Sequence, residues 1–195
     1  MDPFITPICL ENHIALIKPL EEAYFDKLIR IAEEPQLWEM SPRTMDTEAD
    51  ILAYLREAMT EKEKNISIPF VIIDKRSNEV AGSTRYSNLF PAHKRLEIGW
   101  TWIGTRFQGT GLNRAVKFEL LQYGFETLGL NRIELKTDAR NAQSRAAMKK
   151  IGAREEGIFR QHMVTATGRI RDTVYLSMLK EEWPEIKETI FHDFY

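Results

Sequence analysis

Between residues 95 and 113 the chain concentrates the residue types and spacings that could do chemistry. The run Arg106-Phe107-Gln108-Gly109-Thr110-Gly111 sets two glycines directly before a stretch of helical apolar spacing that begins at Leu112. Glycine has no Cβ, so such a backbone can turn tightly and approach a ligand closely. At the start of the helix that follows, amides without intrahelical acceptors and the positive end of the helix dipole make an anion site suited to a pyrophosphate. An ordinary tight turn has the same signature. No Gly-Lys-Ser/Thr follows the loop and Gly-x-Gly-x-x-Gly is not completed, which disfavours nucleotide hydrolysis. Just upstream, Arg95 to Ile103 alternates as a strand, with Leu96, Ile98, Trp100 and Trp102 assigned to one face and Glu97, Gly99 and Thr101 to the other. The low bulk of Gly99 and Thr101 leaves room for a substrate beside the Glu97 carboxylate, which could accept a proton from an amine directly or through water. The competing reading is a strand glutamate facing solvent.

Other reactive side chains carry less. His13, His93, His162 and His192 are scattered and suggest no metal cluster. His162, alone among Arg160, Gln161 and Met163, reads as a partly exposed structural residue rather than a base. Trp100 and Trp102 read as core, with an acceptor-pocket lining as the alternative. Arg169, Arg171 and Asp172 form a charged turn that pins the last hairpin, or else contacts an acidic substrate. Cys9, the single cysteine, excludes an internal disulfide and reads as inert packing in a reducing, cytoplasmic setting.

The elements that must position these residues alternate along 195 residues, of which 43% are hydrophobic and 29% charged. That is enough for one core without disulfide or metal. The 27 basic and 29 acidic residues are interspersed, for a net charge of -2, so no DNA or anionic membrane partner is indicated. No signal peptide or membrane-spanning stretch is legible. A strand at Ile14 to Ile17 precedes a helix with Phe25, Leu28, Ile29 and Ala32 on one stripe, ended by Pro35. Thr47 and Asp50 form a capping box for a second helix with Leu52, Leu55 and Met59 inward. Phe70 to Ile73 and Val80 to Tyr86 pair as an antiparallel hairpin. After the Arg95 to Ile103 strand come a helix from Leu112 to Leu128 stopped by Gly129, a strand from Arg132 to Thr137, and a short helix from Gln143 to Ile151. Strands Arg154 to Val164 and Arg171 to Leu179 follow, then a helix from Glu182. The pattern is an α/β (α+β) domain: a mixed sheet of about seven strands with helices on its faces.

The order of these parts resembles the GNAT acetyltransferase superfamily. The residues that carry the resemblance are Arg106-x-x-Gly109-x-Gly111 after a Glu-containing strand, then a long helix, a strand, and Asn141-x-x-Ser144 opening a short helix to Ile151-Gly152. Leu96-Glu97-Ile98-Gly99-Trp100, Phe125-Glu126-Thr127-Leu128-Gly129-Leu130-Asn131-Arg132 and Gly168-Arg169-Ile170-Arg171-Asp172-Thr173 make it similar to the branch that acetylates ribosomal-protein amino termini. The resemblance places the acetyltransferase domain at 12–180, with a mostly antiparallel central sheet and a helical extension at 181–195. It implies acetyl-CoA as donor co-substrate and no metal. Backbone amides of Gln108, Gly109, Thr110, Gly111 and Leu112 would cradle the pyrophosphate, with Asn113 in the same set. Asn141 would reach the pantetheine arm, and the strand backbone at Trp102 and Ile103 would pair with pantetheine amides as an added strand does. Arg106 would place positive charge near the phosphates.

Many family members carry a tyrosine acid on the short helix, where this chain has Met148, which cannot donate a proton. The closer branch suggests Ser144 instead, unless its hydroxyl only caps the helix. A thiol of reference pKa ~8.5 leaves tolerably well without a strong acid. An α-amine, with reference pKa ~7.7–8.0 against ~10.4 for lysine, suits a modest base such as Glu97. The function implied is acetyl transfer to a primary amine, with a protein amino terminus, a polyamine or an amino sugar as acceptor. A non-catalytic acyl-CoA-binding or sensing domain is the alternative. Monomer and homodimer are both open.

Overall fold

A computed structural model describes residues 3, 4 and 6–195 of the chain. Among these, eight strands form one sheet: β1 (Leu10–Glu11), β2 (Ala15–Pro19), β3 (Ile68–Asp74), β4 (Glu79–Phe90), β5 (Arg95–Ile103), β6 (Arg132–Asp138), β7 (Arg154–Val164) and β8 (Ile170–Leu179). Their order across the sheet is β1-β2-β3-β4-β5-β6-β8-β7. All neighbours are antiparallel except β5 and β6. The eighth strand, absent from the expected seven, is β1, whose two residues are too few to show a period.

Helices α1 (Phe25–Ala32) and α2 (Glu48–Glu63) cover one face. The Thr47–Asp50 capping box is present, with side chain and backbone bonded in both directions. The inward residues of α2 are Ile51, Tyr54, Leu55 and Ala58, so Leu52 and Met59 stand at the edge of the buried stripe rather than its centre. Their cluster includes Leu28, Val71, Val80 and Trp102.

On the other face lies α3 (Leu112–Gln122), buried on most of its circumference, so its stripe reads as core all round. It runs into a π turn over Tyr123–Thr127 before the left-handed Gly129, which is why the helical spacing extends to Leu128 although the α-helix stops earlier. α4 (Ala142–Lys150) and α5 (Trp183–Ile190) complete this side. The carboxyl-terminal residues are part of the core: Phe118 packs on Trp183, Phe191 and Phe194, with ring centroids 6.2, 5.5 and 5.3 Å away.

β5 does not keep its alternation. Ser83 pairs with Trp102 and Arg85 with Gly99, so three steps on β5 face two on β4 and one residue is extra. This β-bulge puts Trp100 at φ 48°, a conformation that bulky side chains rarely adopt. The parity of the strand therefore flips. Leu96, Ile98 and Ile103 join the α3 cluster, whereas Trp102 joins the α1/α2 cluster and Trp100 packs against it. The expectation that Leu96, Ile98, Trp100 and Trp102 share a face is corrected by that one inserted residue; strict alternation cannot foresee a bulge.

Gly82 on β4 lies opposite the shifted segment, where a Cβ would sit 2.1 Å from the Trp102 carbonyl oxygen. Gly82→Ala should lower stability by ~1–3 kcal/mol through overpacking against backbone. Urea unfolding checks this, and an unchanged midpoint would contradict it.

Candidate active site

The bulge lies where two strands part. β5 and β6 pair in parallel over only three residues, Arg95, Leu96 and Glu97 against Arg132, Ile133 and Glu134. Beyond this, β5 continues to Ile103 and β6 to Asp138, with β6 still bonded to β8 on its far side. A bulge bends and twists its strand, so it turns the end of β5 away from its neighbour. The result is a cleft walled by two unpaired strand edges, at the carboxyl ends of adjacent parallel strands. Open α/β sheets place ligands at such ends.

The loops leaving these strands lie at the cleft mouth. β5 leads through a 3₁₀ turn (Thr105–Phe107) to α3, whose N-cap Gly111 is left-handed at φ 87° and supplies no side-chain cap. Gly109 is also left-handed, at φ 73°, and a Cβ at either glycine would meet nothing within 4 Å. The glycines are thus demanded by backbone conformation. The space beside them is open, and Gly111 offers no side chain to the first-turn amides of α3, of which that of Leu112 makes a long 3.5 Å contact to Thr110 Oγ1.

Arg76 reaches this loop from the β3–β4 turn: its guanidinium donates to the Thr110 carbonyl at 3.0 Å and to Thr110 Oγ1 at 3.2 Å, while Asp74 holds its other edge. Nothing in the polar turn Lys75 to Asn78 marked Arg76 in the sequence, because the contact spans more than thirty positions. Arg106 points elsewhere, with its exposed side chain paired to Glu79 at 2.6 Å and stacked on Phe107.

Gln108 bridges the cleft. Its amide donates to the Ile103 carbonyl at 2.9 Å, and its Oε1 accepts from Gln143 of α4 at 3.3 Å. Asn141 caps α4, accepting from the Ser144 amide at 2.9 Å. The Ser144 side chain is half-buried one turn into that helix, and Met148 packs against the core. Two residues of the expected cofactor set hold buried atoms with no partner among the described residues: Asn113 Oδ1, an acceptor, and Trp102 Nε1, a donor. Open strand edges and a helix start with a glycine N-cap fit a ligand that combines an anion with amide donors and acceptors, as the pyrophosphate and pantetheine of acetyl-CoA do.

Glu97 stands at the apex where pairing stops, 2% exposed. Its Oε2 accepts from Asn88 Nδ2 at 2.8 Å and lies 2.9 Å from Lys136 Nζ. Its Oε1 lies over Gly99, where an added Cβ would come within 2.8 Å. Glu97 is therefore a buried, paired carboxylate and does not face bulk solvent. Thr101, expected beside it, belongs to the opposite face, where its hydroxyl accepts from Lys117 of α3 at 2.7 Å. Lys136 also sits 5.7 Å from the Trp100 ring, and the Arg85 guanidinium lies 5.7 Å from the same ring.

Flanking the cleft, Trp38 packs on Trp102 at 5.6 Å and Arg169 pairs with Asp138 at the end of β6. Both line a cavity of about 260 Å³ between residues 35–46 and the β7–β8 turn. The pairing with Asp138 supports the hairpin-pinning reading of Arg169. His162 is exposed among the rings of Phe159 and Tyr175, and Cys9 is exposed, contrary to its reading as packing. The described residues hold no cluster of three or more side chains that could bind a metal, and no helix long and apolar enough to cross a membrane.

Residues 15–154 match the family described as acetyltransferase (GNAT) domain. The chain belongs to the GNAT acetyltransferases. It is an acetyl-CoA-dependent N-acetyltransferase by family. It is 38% identical over 104 residues to a putative ribosomal N-acetyltransferase, YdaF, of Bacillus subtilis, covering 53% of this chain and 56% of that protein. It is 30% identical to an uncharacterized N-acetyltransferase, p20, of Bacillus licheniformis over 84% of this chain and 90% of that one. A GCN5-related N-acetyltransferase from Brucella melitensis superposes with a TM-score of 0.89 at 31% identity, over 97% of this chain and 86% of that structure.

One titrating group beside the GNAT cleft is unusual. Lys117 is 5% exposed, and burial alone pushes its amine down to about 7, with no charged neighbour contributing. The unfolded chain then holds a proton that the folded chain releases between about 7 and the ordinary lysine value of 10.5. Unfolding free energy rises with pH where the unfolded state binds more protons. The native protein should therefore gain stability from pH 7 to 9.5 relative to Lys117→Met, and lose that gain as the pH falls toward 7. Urea titrations of both proteins measure the difference; parallel curves would contradict it.

Proposed function

We propose that this enzyme transfers an acetyl group from acetyl-CoA to a primary amine, with a protein amino-terminal α-amine as the favoured acceptor. The carrying observation is the parting of β5 and β6 beyond Glu97 and Glu134, which leaves two strand edges open beside a helix start whose N-cap is a glycine. Pantetheine amides would add to the β5 edge at Trp102 and Ile103. The amides from Gln108 to Leu112 would take the pyrophosphate, backed by Arg76 through Thr110. The Ile103 carbonyl accepts from Gln108 Nε2 and keeps a second lone pair for a pantetheine N–H, so Gln108 would border the bound arm. Asn113 and Asn141 would border the same arm.

Acetyl-CoA supplies the thioester carbonyl and a thiol leaving group. Glu97 would hold or remove the ammonium proton as the amine attacks, either at Oε1 or through a water, because Oε2 is occupied by Asn88 and Lys136. Ser144, half-buried at the start of α4, would return a proton to the departing sulfur. Met148 leaves no tyrosine for that step. The likeness to a putative ribosomal N-acetyltransferase supports an α-amine acceptor. So does the proton balance, since an α-amine is partly neutral at pH 7 and needs only a modest base. The cavity lined by Trp38, Arg43, Met45 and Arg169 supports entry of the acceptor from the α1/α2 side.

Mass spectrometry of amino-terminal peptides, polyamines and aminoglycosides incubated with enzyme and acetyl-CoA should find acetylated peptide α-amines. Acetylated products confined to the small molecules would contradict that acceptor class. Acetyl-CoA bound without any product would leave a binding domain.

Glu97→Gln should lower turnover roughly 10²–10⁴-fold, most strongly at low pH. Gly99→Ala displaces only the end of the Glu97 side chain, so it should reduce turnover while leaving the unfolding midpoint nearly unchanged. Wild-type turnover in either variant would contradict the role of Glu97.

A further inference from the structure

Lys117 is spent on no salt bridge among the described residues and sits against no solvent, yet its amine is hydrogen-bonded to the strand that forms one wall of the cleft. Lys117 Nζ lies 2.7 Å from Thr101 Oγ1, and Thr101 Oγ1 lies 2.7 Å from Thr84 Oγ1. Thr84 Oγ1 is in turn 3.4 Å from the Gly99 carbonyl oxygen. This chain runs from the middle of α3, across the face of the sheet, to the residue at which β5 gains its extra position.

When the amine donates, it also sets the direction of the chain. A protonated lysine can only donate, and a neutral one still carries two N–H groups. Thr101 Oγ1 accepts from Lys117, so its own hydrogen is free to go to Thr84. The Thr84 hydrogen then points to the Gly99 carbonyl. Without the amine, the Thr101 hydrogen can turn instead to Gly99, 3.5 Å away, and the two hydroxyls lose a fixed order. The bulge needs such support, because it holds Trp100 at φ 48° and interrupts the ladder to β4. A buried amine whose burial alone depresses its ionisation is an expensive way to fill space, since methionine would pack there without a polar group.

We infer that Lys117 is a positioning residue: through Thr101 and Thr84 it holds the Gly99–Trp100 bulge, and with it the β5 edge, in the shape that receives the acyl-CoA arm. The inference rests on the cleft being the acetyl-CoA site. Lys117 touches neither donor nor acceptor, so its loss removes binding shared by ground and transition states and appears in KM rather than kcat.

The test is steady-state kinetics with acetyl-CoA varied, on full-length wild type, Lys117→Met, Thr101→Val, Thr101→Ser and the double variant K117M/T101V, with acetyl-CoA binding measured by calorimetry. Lys117→Met and Thr101→Val should each raise the KM for acetyl-CoA roughly 3- to 10-fold, the effect of one lost hydrogen bond, with kcat within about twofold. The double variant should be no worse than the weaker single, because both cut one chain. Thr101→Ser, which keeps the hydroxyl, should restore the wild-type KM. If wild type binds acetyl-CoA but the single variants leave KM within about twofold, or their effects multiply, the positioning role is overturned and the cofactor site stands. Should wild type bind no acetyl-CoA, both fall. If Lys117→Met does not fold, the contrast between Thr101→Val and Thr101→Ser decides alone.

Discussion

One inserted residue in β5 is the constraint on which the site depends. A parallel pair of strands holds together through a regular ladder, and β5 and β6 keep theirs only from Arg95 to Glu97. The bulge at Gly99–Trp100 then twists β5 away, leaving the backbone groups of two strands unpaired inside the molecule. Unpaired edges are a liability unless something occupies them. Here they lie between α3 and α4, and the occupant they suit is a chain-like molecule carrying its own amides and ending in an anion. The same insertion swings Trp100 and Trp102 toward α1 and α2, and leaves Thr101 facing α3.

Charge around the cleft is arranged in separate compartments. At the apex, Glu97 is held by Lys136 and Asn88, a buried pair whose partners keep the carboxylate in one place. At the mouth, the α3 terminus and Arg76 provide a positive environment without placing a lysine in the loop. Arg106, the cation nearest in sequence, is spent on Glu79 at the surface. The phosphate end would thus be recognised mainly by backbone, and the reacting end by one carboxylate in a desolvated setting.

Local signals were legible in the sequence wherever a local rule governed them. The β5 limits, the Thr47 cap and the glycine loop followed from alternation, capping and turn chemistry within a few residues, while the Asn141 start of α4 came from the family resemblance. Glu97 was visible as a carboxylate next to small residues, but its partners were not. Lys136 is 39 positions away, and Asn88 stands in a segment of β4 with no period of its own. Lys117 carried no signal in the sequence, because burial of α3 all round is a tertiary fact. The face assignment of Trp100 and Trp102 failed for the reason that makes the site: a bulge resets alternation and leaves no mark in residue type beyond one glycine.

Hydrogen–deuterium exchange in the presence and absence of acetyl-CoA tests the central claim most directly, because it reports on the backbone amides that the cleft leaves open. Protection should appear in two segments, Gly99 to Ile103 on β5 and Gln108 to Asn113 at the start of α3, with β7 and β2 unchanged. Saturating acetyl-CoA that leaves both segments as exchangeable as before, or protects other parts of the sheet instead, would contradict the account.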